Sequence, residues 1–117
     1  MRIERDPPRP PLRQRRSAGE RLREVLLELA GGQATALAHE ETSWASVTFA
    51  GARHRVDLQF RGPEAVEAGE QFIALLPDHE FTLPRHLVAD ATVTQVNHRL
   101  DPPHLTVRCE LLLIEED

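Results

Sequence analysis

Six histidines (His39, His54, His79, His86, His98 and His104) are the residues of this chain best suited to chemistry, because an imidazole can ligate a metal or move a proton near neutral pH. None stands at a tight ligand spacing such as H-x-x-x-H. The nearest grouping is His79 and Glu80 with His86, seven residues apart across Pro84, where Asp90 could add a carboxylate. Surface and strand-end histidines look the same in a sequence, so these residues form a metal candidate without a ligand pattern. No cofactor is expected.

Nucleophilic catalysis finds no better footing. Cys109 falls on the core-facing side of a predicted strand, where a thiol behaves as a small inert hydrophobe. Ser43 and Ser46 lie on a predicted strand without a G-x-S-x-G elbow. The carboxylate pairs Glu40-Glu41 and Glu115-Glu116 sit in an expected hairpin loop and at the chain end, and both read as solvated charge. The chain has no lysine, which excludes Schiff-base and P-loop lysine chemistry. It also points to an Arg- and Ala-favouring codon bias of the GC-rich bacterial kind. Gly31-Gly32 ends a predicted helix instead of opening one and so offers no phosphate cradle. The balance leans away from an enzyme.

Charge is distributed unevenly. The first 23 residues hold eight arginines against three carboxylates, a formal +5, while the other 94 hold six against sixteen, a formal −10. Residues 2 to 16, with Pro7, Pro8, Pro10 and Pro11 among the arginines, cannot propagate a helix and have little to bury. Residues 1–16 therefore read as an extended or disordered basic arm, and 17–117 as a single α+β domain. Aromatic residues make up 4% of the chain with no tyrosine, which leaves few rings for stacking on bases. One cysteine excludes an internal disulfide and fits a reducing compartment. No apolar run approaches the roughly 20 residues that cross a bilayer, and the N-terminus lacks the apolar core of a secretory signal. Cytoplasm is the default expectation, with no membrane partner.

The elements that must position these groups are legible. Ser17-Ala18-Gly19-Glu20 has the spacing of a capping box, and Leu22, Val25, Leu26 and Leu29 follow at helical intervals up to Gly31-Gly32. Three strands are expected near 33–39, 43–50 and 53–61, the last with Val56, Leu58 and Phe60 on one face. A two-residue turn at Gly51-Ala52 would pair Phe49 with His54 and Val47 with Val56. It would leave Trp44, Ser46, Thr48, Arg55, Asp57 and Gln59 on the other face as a contact surface. Gly62-Pro63 opens a second helix that Pro77-Asp78 ends. A short strand near 79–83 and two long ones near 86–99 and 104–115 complete the chain. The expected class is thus α+β, a two-layer arrangement with a mainly antiparallel sheet, helices on one face, and the order α-β-β-β-α-β-β-β. Through its second helix this order resembles that of the small acidic type III secretion chaperones, although their third helix is missing. The resemblance implies a dimer.

In the last strand Leu105, Val107, Cys109, Leu111 and Leu113 share one face while Leu112 and Ile114 point the other way. A domain this small has little to cover a second apolar face, so a partner or a second copy is expected to do so. The functional reading is a non-catalytic protein-interaction module acting as a homodimer, its surface marked by Leu112, Ile114, Trp44 and Arg55. The first alternative is a nucleic-acid accessory protein that lays Arg2, Arg5, Arg9, Arg13, Arg15 and Arg16 along phosphates. An arm folded over an acidic face of its own or a neighbouring subunit has equal weight. The second alternative is a small-ligand pocket between sheet and helices, with Trp44 as its natural reporter.

Overall fold

Ser17 starts the first helix, α1 (Ala18–Leu29), by accepting the Glu20 backbone N–H on its Oγ at 3.1 Å. Gly31 and Gly32 then take φ values of 69° and 72°, which only glycine adopts at no steric cost, and turn the chain into the sheet. The computed structural model describes residues 17–116, so the basic arm lies outside the described residues. After α1 come β1 (Ala34–Ala45), β2 (Ala50–Arg61), α2 (Pro63–Leu75), a 3-10 turn (Leu76–Asp78), β3 (His86–Leu100) and β4 (Pro103–Glu115). The sheet order is β1-β2-β4-β3, and every neighbouring pair is antiparallel. The chain leaves β2 through α2, lays β3 at the far edge, and returns as β4 into the gap.

The class is therefore α+β, but the order is α-β-β-α-β-β. The strands expected near 33–39 and 43–50 are one strand, β1. The residues read as a loop between them, Glu40 and Glu41, pair across the ladder with Arg55 and His54. Charge is tolerated there because β1 is an edge strand and Glu40 forms an ion pair with Arg55. The turn lies at 46–49, closed by Ala45 opposite Ala50, so Gly51 and Ala52 belong to β2 and His54 faces Glu41 instead of Phe49. The segment 79–83 is not a strand. Among its residues only Leu83 makes an isolated bridge, to His86, before Pro84 and Arg85 (φ 62°) redirect the backbone. With two strands between the helices, the element order no longer matches the type III secretion chaperones.

One parity of the strands builds the core. Val56, Leu58 and Phe60 of β2 stand opposite Cys109, Val107 and Leu105 of β4 and point toward the helices. Leu22 and Leu26 of α1, Val66 and Phe72 of α2, and Leu76 close over them. Phe60 and Phe72 meet with ring centroids 6.2 Å apart. The link between β3 and β4 shortens to two residues, since Leu100 pairs with Pro103, and this sets the register of β3. Gln95 and Asn97 fall on the helix-free face, Val96 and His98 on the helix side, and Thr94 in a bulge. Val96 is nevertheless 44% exposed. Both helices and the 3-10 turn pack over other parts of the sheet, with α2 on β2 and β4, α1 on β1 and the 3-10 turn on β3.

Gly69 is the point of closest approach between α2 and the sheet. A Cβ there would stand 2.5 Å from Leu105 Cδ2 and 2.9 Å from Phe60 Cγ. Gly69→Ala is expected to destabilise the protein, because overpacking costs about 1–3 kcal/mol and the gain in helix propensity returns only about 1 kcal/mol. Thermal unfolding should show a lower Tm. A Tm at or above the parent value would mean that Leu105 and Phe60 yield without cost.

Candidate functional site: the helix-free face of the sheet

The register that sends Val56 and Cys109 into the core sends the alternate residues to the opposite face, which neither helix covers. Across this face the cross-strand rows are Trp44, Gly51, Ile114 and Leu87; then Thr42, Arg53, Leu112 and Asp90; then Glu40, Arg55, Glu110 and Thr92. The row Ala38, Asp57, Arg108 and Gln95 follows, then Thr35, Gln59, Thr106 and Asn97. Trp44, Leu112 and Ile114 are half-buried, and Leu87 is 53% exposed. Three of the four residues expected to mark an interaction surface thus gather at one end of a single face. The fourth, Arg55, lies one row further in and is engaged by Glu40.

Gly51 permits this apolar row. Any Cβ at that position would run into the backbone carbonyl of Leu113, so glycine lets β2 approach β4 closely and leaves no side chain between Trp44 and Ile114. Next to the apolar end the face is an ion-pair ladder. Arg108 donates to Asp57 from Nε at 2.8 Å and from Nη2 at 3.1 Å, a bidentate pair that holds the Asp57 carboxyl below its usual range. Five arginines (Arg53, Arg55, Arg61, Arg99 and Arg108) meet four carboxylates (Glu40, Asp57, Asp90 and Glu110) on this face. The helix layer is different. Glu20, Glu24, Glu28, Glu64, Glu67 and Glu70 are all exposed, and α2 carries no basic residue. The molecule therefore has a nearly neutral sheet face and an acidic helix face.

At the far end of the same face, Gln59, Arg61, Gly62, Arg99, Pro102, Pro103 and His104 line an open cleft of about 440 Å³. In the amide orientation that satisfies its neighbours, Gln59 Oε1 accepts from Arg61 Nε at 3.0 Å, Arg61 Nη2 at 3.1 Å and His104 Nε2 at 2.8 Å. This fixes the Arg61 and His104 side chains on the cleft wall.

A second polar cluster lies beneath α1, and sequence reasoning missed it. His39 Nε2 and His54 Nδ1 are 2.8 Å apart, His54 is buried, and Arg23 Nη1 stands 3.4 Å from His39 Nδ1. Because the guanidinium can only donate, His39 Nδ1 accepts, its Nε2–H donates to His54 Nδ1, and both rings are neutral. Gly19 of α1 packs against both imidazoles. The two histidines are fifteen residues apart, and no local spacing signals the pair. Only the hairpin register brings them together, and the expected turn at Gly51-Ala52 gave the wrong one.

The metal candidate does not assemble. His79 stacks edge-on against Phe81 with centroids 4.7 Å apart, and His86 Nδ1 donates to the Pro84 carbonyl at 3.0 Å. Glu80 joins His79 and Asp90 along a separate cleft that His86 does not line. Among the described residues no group of three or more His, Cys, Asp or Glu could hold a metal ion. Cys109 is buried, and burial pushes its thiol up to about 12, which leaves it protonated and unreactive at neutral pH. Arg2, Arg5, Arg9, Arg13, Arg15 and Arg16 lie outside the described residues. Among the described residues no helix is long and apolar enough to cross a membrane.

No protein-family model matches this chain, and no curated protein matches it in sequence. Among solved structures, a chain of the "Virion of native gene transfer agent (GTA) particle" is similar in fold, with a TM-score of 0.53 and 15% sequence identity. The alignment covers 85% of this chain and 92% of that one. At that identity the likeness is one of α+β architecture.

Burial lowers the pKa of both His39 and His54 below the ordinary value of 6.5. For His39 the neighbouring His54 and Arg23 add to the effect against Glu41. For His54, Glu41 opposes the shift and His86 adds to it. The unfolded chain then takes up protons near pH 6.5 that the folded chain refuses, so stability falls as pH is lowered through that value. The Tm is expected to drop between about pH 8 and about pH 5, with His54→Gln flattening the dependence. A Tm that does not change over that range in the parent protein would contradict the neutral pair.

Proposed function

We propose that this protein is a non-catalytic structural subunit, bacterial and cytoplasmic, that works by self-association through the helix-free face of its sheet. The observation that carries the reading is the apolar row Trp44, Ile114 and Leu87, with Leu112 beside it, on the one face whose charges nearly balance. Two copies of a chain whose body is strongly acidic repel least where arginines and carboxylates alternate, and a mixed-sign ladder can meet its own copy in register. An exposed apolar sheet face on a small protein commonly marks a protein contact. The fold neighbour, a chain of a gene transfer agent virion particle, supports a role in an assembly. Leu112, Ile114 and Trp44 would form the centre of the contact and Arg55 its polar surround.

The arm supports a second reading. Six arginines against two carboxylates in residues 1–16 would bind phosphates without sequence preference. On that reading, deleting residues 1–16 abolishes retention of duplex DNA at low salt and leaves the oligomer mass unchanged.

For the main reading, light scattering coupled to size exclusion is expected to give an oligomer mass for the intact chain. The pair Leu112→Glu and Ile114→Glu is expected to lower it. Both side chains lie outside the core, so circular dichroism should keep the parent spectrum. A parent monomer, or a folded double variant of unchanged mass, would overturn the proposal.

A further inference from the structure

The hairpin between β1 and β2 ends in an apolar tip that is left exposed among the described residues. Residues 42–52, TSWASVTFAGA, contain no charged side chain in a protein that is 28% Asp, Glu, Lys and Arg. Val47 at the tip is 102% exposed and Phe49 55%. The tip is nonetheless shaped. Ser46 N–H donates to the Phe49 carbonyl at 2.8 Å, and Phe49 N–H donates back to Ser46 Oγ at 3.1 Å. A loop held this way pays little ordering entropy on docking.

The cleft at Pro102, Pro103 and Gly62 lies at the other end of β2. Eleven residue steps of β2 separate Ala50, beside the tip, from Arg61, on the cleft wall, which is about 36 Å of extended chain. The tip therefore cannot reach the cleft of its own chain. The two ends also differ in charge. Around the cleft stand Arg61, Arg99 and His104, with no carboxylate in its lining. Beside the tip, β4 ends at Glu115 and Glu116 follows it, with Ile114 paired to Gly51 and Glu116 N–H bonded to the Arg85 carbonyl. Guanidinium groups on the wall of a partly apolar cleft favour an aromatic ring between them and an acidic rim around it.

We propose that the 46–49 tip of one copy docks in the Gly62/Pro102/Pro103 cleft of a second copy, giving a head-to-tail contact distinct from the sheet-face contact. This rests on the reading of the chain as a self-associating subunit and adds a second surface to it. A heterologous contact of this kind leaves a free tip and a free cleft on every pair, so it propagates into a ring or a filament. Together with a face-to-face contact it would let one small chain build a larger assembly.

Introduced cysteines test the contact, since the native Cys109 is buried and its thiol stays protonated. A variant carrying V47C and D101C, the second beside Pro102 but outside the cleft lining, is oxidised at high protein concentration and run on a non-reducing gel. Both positions are exposed, so the fold is expected to persist by circular dichroism. An intramolecular disulfide would require Cα atoms within about 7 Å, which the separation of the two ends forbids. The expected result is a ladder of three or more copies, or one closed ring, while V47C or D101C alone stops at the dimer. Adding Phe49→Asp should weaken the ladder about tenfold or more, the loss expected when a buried aromatic ring leaves a contact. Only monomer and dimer from the double-cysteine protein would overturn the proposal. Repeating the oxidation with Leu112→Glu and Ile114→Glu separates the two contacts. A ladder that persists there supports the tip contact whatever the fate of the sheet face, and a ladder lost there means that the tip contact is not independent.

Discussion

The pairing of β2 with β4 at the centre of the sheet is the constraint from which the rest follows. Setting Val56 against Cys109 and Phe60 against Leu105 gathers the long apolar side chains of both strands on one side. A helix can then close the core only from that side. Gly69 brings α2 close enough for Phe72 to reach Phe60, and Leu22 and Leu26 seal the β1 end. A slip of one residue would turn Arg55 and Asp57 into the core if β2 moved, or Arg108 if β4 moved, at a large desolvation cost. The same register places these charges beside Trp44, Leu112 and Ile114, so one pairing decides both what is buried and what lies on the helix-free face.

Charge then separates the two layers. The helices carry exposed glutamates, whereas the sheet face carries arginines and carboxylates in alternation. Surface ion pairs such as Glu40 with Arg55 contribute little stability each. On the proposed reading they matter for association, since two acidic bodies repel least where the field is nearly cancelled. The exposed tip at Val47 and the cationic cleft at Arg61 and Arg99 extend the same logic to the ends of the sheet.

Beneath α1, the histidine pair places a hydrogen-bonded polar group where a small apolar contact would have served. Its geometry requires one ring to accept from the other, so the bond between them cannot survive double protonation. That couples the seating of the first helix on β1 and β2 to pH, through groups that play no part in the sheet face.

The elements with strong local signals were legible in the residues alone. Ser17 with Glu20, followed by Leu22 and Leu26 and the Gly31-Gly32 stop, defines α1, and Gly62-Pro63 opens α2. Strict alternation in 105–113 identifies the core face of β4 and, by the same parity, the outward Leu112 and Ile114. The hairpin failed because Gly51-Ala52 has the chemistry of a tight turn, while the true turn at 46–49 is marked only by Ser46 bonding to Phe49. Glu40 and Glu41 look like loop residues until Arg55 is placed across from Glu40, and 79–83 alternates like a strand although Pro84 and Arg85 deny it a neighbour. Periodicity and capping are short-range properties, so the sequence by itself determined the helices, the apolar parity and the charge asymmetry. Partners fifteen or more residues apart, His39 with His54, Asp57 with Arg108, Trp44 in the row of Ile114, depend on which strands pair and in what register, and only the tertiary structure decided those.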